Sequence, residues 1–106
     1  MALASAGSSP VPGTYSILQV HTPMIYVYAL KSKTRNYIYV GMTANIADRM
    51  HRHNSGYEKT TRSYRPFELI DLEKFEDRKQ ARVKEKYLKS GSGKEYLKKL
   101  INQLKQ

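Results

Sequence analysis

Apolar and polar positions change period several times along this chain, and each change marks an element. Met24 to Leu30 (MIYVYAL) is β-branched and aromatic and predicts a strand. Lys31 to Asn36 is polar and makes a turn. Tyr37 to Val40 predicts a second strand, and the short connection points to an antiparallel hairpin closed by Gly41. Thr43 is placed to cap a helix over about 44–53, in which Ile46 and Met50 lie four apart and face the core. Asn54-Ser55-Gly56 stops that helix, and 57–66 is a polar, basic loop ending at Pro66. Phe67 to Phe75 (FELIDLEKF) alternates as a third strand, with Phe67, Leu69 and Asp71 on one side and Ile70 and Leu72 on the other. Asp77 can cap a second helix through about Lys89, with Ala81, Val83, Tyr87 and Leu88 as its buried positions. Ser90 to Gly93 breaks it. A last helix from about Lys94 to Leu104 repeats Leu97, Leu100, Ile101 and Leu104 at helical spacing. The order is ββαβαα, an α+β class, with no internal repeat.

The 106 residues suffice for one domain with a modest core. Residues 1–22 are rich in Ala, Ser, Gly and Pro and read as a flexible, disordered leader; 23–106 forms the folded unit. The chain has no cysteine, so disulfides and thiolate metal sites are excluded. His21, His51 and His53 are too few and too poorly spaced for a structural zinc site. No apolar run approaches the ~20 residues that span a bilayer. The leader has no Lys or Arg, so it lacks the marks of a secretory or mitochondrial signal, and the default location is the cytoplasm.

Charge changes the picture most. There are 19 Lys+Arg against 9 Asp+Glu, a net +10, and every Lys and Arg lies at or after Lys31. The folded unit is therefore the basic part, and a polyanion such as nucleic acid is the expected partner. The plainer reading is a solvated basic surface.

Several residues suit phosphodiester hydrolysis, which needs an activated water and stabilised phosphoryl charge. Arg49 and His53 sit four apart on one helix face. Arg49 would spread the scissile phosphate's charge, and His53 could orient a nucleophile or move a proton. Tyr26 and Tyr39 lie on adjacent strands, where a phenol beside a metal and an arginine could act as general base. Glu85 alone can hold one Mg²⁺ or Mn²⁺ if water and phosphate complete the shell. Each has a plainer explanation: strand tyrosines pack, a spaced Arg and His form a solvated helix face, and Glu85 among Lys84, Lys86 and Lys89 makes surface ion pairs. In the loop, Lys59, Arg62 and Arg65 can bind phosphates, while Tyr57 or Tyr64 could stack on an unpaired base.

The stretch MIYVYALKSKTRNYIYVGMTANIADRMHRHNSG resembles the amino-terminal half of a GIY-YIG nuclease domain, most closely the short stand-alone bacterial members. The later PFELIDLEKFEDRKQARVKEKYLKSGSGKEYLKKLI is similar to the same proteins. The resemblance covers the chain from Met24 onward. It implies a three-stranded antiparallel sheet flanked by helices. It places Tyr26 at the first motif tyrosine, Tyr39 and Gly41 in the second motif, Arg49 at the catalytic arginine, His53 at the following histidine and Glu85 at the metal-binding glutamate. Met24 departs from the motif glycine and Val40 from the motif isoleucine. Asn102 is the only asparagine after Glu85 and does not match the supporting asparagine of some relatives.

The expectation is a metal-dependent endonuclease with one Mg²⁺ or Mn²⁺, acting on DNA ahead of RNA. It would be structure-selective rather than sequence-reading, with a DNA repair or recombination role by analogy, no membrane association and a monomeric state by default. The alternatives are a basic nucleic-acid-binding module with weak or no cleavage, an RNA-directed nuclease, or an interaction domain for an acidic partner.

Overall fold

The computed structural model describes residues 24–105; the leader expected over 1–22 lies outside the described residues. β1 (Ile25–Ser32) and β2 (Ile38–Thr43) pair antiparallel, with Tyr28 opposite Gly41 and Leu30 opposite Tyr39. β3 (Phe67–Phe75) pairs antiparallel with the other edge of β1, giving the sheet order β2-β1-β3. Helices α1 (Ile46–Ser55), α2 (Arg78–Lys89) and α3 (Gly91–Leu104) complete the ββαβαα order expected from the pattern. A short 3-10 turn, Arg62–Tyr64, shapes the loop before β3.

Period-two alternation on the central strand gives the sheet two buried faces. Ile25, Val27 and Ala29 pack with Val40 of β2 against Ala81, Leu88 and Leu97 of α2 and α3. Tyr28 and Leu30 point the other way and pack with Phe67 against Ile46 and Met50 of α1. Leu88 and Leu97 are essentially without exposed surface. Each contributes about 1.5–3 kcal/mol of burial free energy, so the α2–α3 side carries much of the stability.

Four local features differ from the pattern's expectation, each for a physical reason. The cap of α1 is Asn45, whose side chain accepts from the Asp48 N–H at 3.0 Å; Thr43 instead accepts from the Asn45 N–H at 3.1 Å and sets the turn before it. On β3, Ala29 pairs with Asp71 but Leu30 pairs with Leu69, leaving Ile70 as an extra residue. This bulge turns Ile70 toward the α2–α3 side and returns Leu72, opposite Tyr28, to the α1 side, so the two do not share a face. Along α2 the buried stripe runs Ala81, Glu85, Leu88. Val83 and Tyr87 fall off it, 69% and 43% exposed, because each lies two residues, about 200° around the helix, from a stripe position. Finally, Ser90 alone turns the chain between α2 and α3, accepting from the Gly93 N–H at 3.2 Å. A Cβ on Gly93 would lie 2.0 Å from the Tyr87 carbonyl oxygen, so only glycine lets α3 start this close to the end of α2.

Among the described residues, no helix is long and apolar enough to cross a membrane.

Candidate active site

The site is built where β1, β2 and α1 meet. Alternation aims Tyr28 of β1 and Tyr39 of β2 at α1, with ring centroids 6.2 Å apart. His53, in the last turn of α1, enters between them, its ring 4.9 Å from that of Tyr39 and 6.0 Å from that of Tyr28. Tyr28 Oη and His53 Nε2 share a 3.1 Å hydrogen bond, and His53 Nδ1 and Thr61 Oγ1 share one of 2.8 Å. Thr61 comes from the loop after α1 and is fully buried. The three groups form one interior chain, in which the direction of each bond follows the histidine tautomer.

Burial sets the electrostatics. It pushes the Tyr28 phenol well above its ordinary range, reinforced by Tyr39 and partly opposed by the Arg49 cation. Burial also lowers the pKa of His53 from 6.5; Glu58 pulls it upward, and Arg49 and Arg52 push it down. Near neutral pH this interior chain is an uncharged phenol, imidazole and hydroxyl. Arg49 is half-buried, and its Nε has no hydrogen-bond partner among the described residues. A buried guanidinium donor without a partner is costly, and an arriving anion would satisfy it.

Gly41 explains how the two tyrosines reach His53. The Tyr28 ring lies across it, and a Cβ there would be 2.7 Å from Tyr28 Oη and 3.0 Å from Tyr39 Cε2. The second motif therefore needs its glycine for space, not for a left-handed backbone.

Glu85 lies on α2, packed across the sheet from α1. It is buried to 8% exposure, and its two oxygens meet Arg82 at 3.3 Å and Lys89 at 3.2 Å. Its charge is felt at Tyr28, the weakest of the contributions there. Among the described residues, no group of three or more His, Asp or Glu side chains could hold a metal ion. One nearly buried carboxylate whose charge reaches the Tyr28 phenol still suits a hard, oxygen-loving divalent ion that keeps most of its water, held weakly until phosphate joins the shell.

Of the residues singled out from sequence, Tyr39 and His53 are brought into contact, with Arg49 and Glu85 within charge range. Tyr26 stands apart: it is half-buried, two positions along the same face, opposite Thr43 and Lys74, with no side-chain hydrogen bond among the described residues. Tyr28 and Thr61 are the members that sequence reasoning did not select. Sequence carried no signal for either: the pairing that sets Tyr28 over Gly41 follows from register, and Thr61 from a contact distant in sequence. In the loop, Arg62 donates to the Gly56 carbonyl and Arg65 to the Arg62 carbonyl, while Lys59 is exposed. Tyr64 is stacked on Tyr37 at 3.8 Å with Arg35 over its ring, so Tyr57, 66% exposed, is the freer aromatic.

A family model described as the GIY-YIG catalytic domain matches residues 24–100. The chain is 40% identical over 67 residues to the UPF0213 protein CPE1444 of Clostridium perfringens (strain 13 / Type A), covering 62% of this chain and 71% of that protein. It is 36% identical over 74 residues to the UPF0213 protein SH2523 of Staphylococcus haemolyticus (strain JCSC1435), covering 69% of this chain and 89% of that one. No solved structure gives a significant match.

Proposed function

The chain belongs to the GIY-YIG family, and we propose that it is a small metal-dependent endonuclease that hydrolyses phosphodiester bonds, DNA ahead of RNA. The observation that carries this reading is the meeting of Tyr39, His53 and Tyr28 over Gly41, beside an arginine whose Nε is buried and unpartnered.

Exposure divides the labour. Tyr28 and His53 have essentially no exposed surface, so they act as positioning residues. Thr61 holds His53, His53 holds Tyr28, and the two rings form the wall against which Tyr39 is set. Tyr39, Arg49 and Glu85 are the groups that touch substrate or cofactor. Arg49 binds the scissile phosphate and gains strength as its charge builds in the transition state. Tyr39 sits where its hydroxyl can exchange a proton with the attacking water. Glu85 would hold the divalent ion, which when bound would supply Lewis acidity at the phosphoryl group. Glu85 is drawn off Arg82 and Lys89 to do so, which makes metal affinity weak in the free protein.

Lys59, Arg62 and Arg65 of the loop, with Tyr57, contribute phosphate contacts and stacking next to the site. Contacts of this kind, to phosphates and to a stacked base, favour selectivity for nucleic-acid structure over sequence recognition. A DNA repair or recombination role is the matching biological setting.

The test is Arg49→Ala assayed for binding and turnover separately. Turnover should fall about 100-fold or more while substrate affinity changes only severalfold. Equal loss in both would make Arg49 a phosphate anchor and nothing more.

A further inference from the structure

Beyond the tyrosine cluster, the edge of β2 and the α2–α3 corner enclose an open recess of about 470 Å³. Its floor includes Val40, Leu88 and Leu97, and its rim carries Lys89, Lys94 and Lys98. Tyr39 lines it as well. Lys89 is the same lysine that meets Glu85, so the rim of the recess carries a partner of that carboxylate. Among the described residues β2 is an edge strand, and one row of its main-chain groups on this side pairs with no strand among them.

We propose that this recess takes one nucleotide of an unpaired strand adjoining the scissile phosphodiester. The base lies against the apolar floor, and the flanking phosphates lie on Lys94 and Lys98. This rests on the nuclease reading and extends it to substrate form. Three observations point the same way. The volume falls within the 300–1,000 Å³ typical of sites for small ligands, the scale of a single nucleotide rather than of a duplex. Three lysines around an apolar floor complement a phosphodiester carrying a flat base. Tyr39 and Lys89 both belong to its lining, so the recess adjoins residues of the proposed centre along the β2 edge.

The test uses the full chain in EDTA, so that binding is scored apart from cutting. Anisotropy of a short fluorescein-labelled oligothymidylate is followed against salt for the parent, for Lys94→Ala/Lys98→Ala, and for the control Lys86→Ala/Lys99→Ala. Two lost phosphate contacts should shrink the slope of log affinity against log salt by about 1.4 and weaken binding about tenfold, with a smaller loss in the control. Amide resonances of Val40, Lys94 and Lys98 should shift on oligonucleotide addition, and the same spectra report whether the variants fold. An unchanged slope, or shifts confined to 57–66, overturns the proposal. So does a duplex that binds as tightly and is weakened as much, or polyglutamate that competes equally at matched charge. Plasmid cleavage is scored separately: a recess that binds as described in a protein that never cuts removes the nuclease reading alone.

Discussion

Tyr28 Oη meets His53 Nε2 at 3.1 Å in the interior, and the space for that contact exists because Gly41 has no side chain. Gly41→Ala would set a Cβ 2.7 Å from Tyr28 Oη and 2.9 Å from its Cζ. The ring is buried and cannot swing away cheaply. The expected loss is about 1–3 kcal/mol in urea or thermal unfolding, with cleavage impaired alongside. Gly91, with nothing within 4 Å of its would-be Cβ, is the control. Gly91→Ala should be neutral or stabilising by up to about 1 kcal/mol.

The three strand tyrosines should separate by role. Tyr39→Phe removes the hydroxyl of a partly buried residue that makes no side-chain hydrogen bond among the described residues, and should lower turnover about 100-fold or more at nearly unchanged stability. Tyr28→Phe removes a buried hydrogen bond and should cost about 1–2 kcal/mol of stability, with a smaller loss of turnover. Tyr26→Phe should leave both close to the parent. Steady-state cleavage and thermal melts on the three purified variants check all of this. Full loss in Tyr26→Phe would return that residue to the centre.

His53 should give the protein a pH-dependent stability. Burial lowers its folded pKa below the ordinary 6.5, so the unfolded chain binds the proton more readily. Its contribution is therefore constant above about pH 6.5 and falls as pH drops from there toward the lowered folded value, at up to about 1.4 kcal/mol per pH unit. Urea midpoints measured across that window should show the fall in the parent. His53→Gln should flatten it, whatever its absolute stability. An identical pH profile in the two proteins would mean that His53 is not held neutral.

Much of this was legible in the sequence. The ββαβαα order follows from period changes, and β3 and α2 begin and end close to where turn residues and the Asp77 cap place them. What stayed hidden depends on register and on partners distant in sequence. Tyr26 and Tyr28 share a face of β1, and the pairing that sets Tyr28 over Gly41, and so against His53, follows from register. The polar run Lys31–Asn36 is two residues longer than the turn, because β1 continues through Ser32, whose N–H donates to the Tyr37 carbonyl at 3.0 Å. Thr61 carries no local signal, since its importance comes from His53 at 2.8 Å. The bulge at Ile70 likewise follows from pairing with β1 and not from the alternation of β3 itself.

The most direct test of the account is cleavage of supercoiled plasmid and of flapped or branched oligonucleotides with Mg²⁺ or Mn²⁺ against EDTA, for the parent and for Glu85→Gln prepared identically. Glu85 is the one buried carboxylate among the described residues and the proposed metal ligand, and Gln keeps its shape while removing its charge. The account predicts metal-dependent products from the parent and a loss of about 100-fold or more in the variant, with oligonucleotide binding in EDTA retained. Equal cleavage by both proteins, or cleavage by the parent that EDTA does not stop, would contradict it.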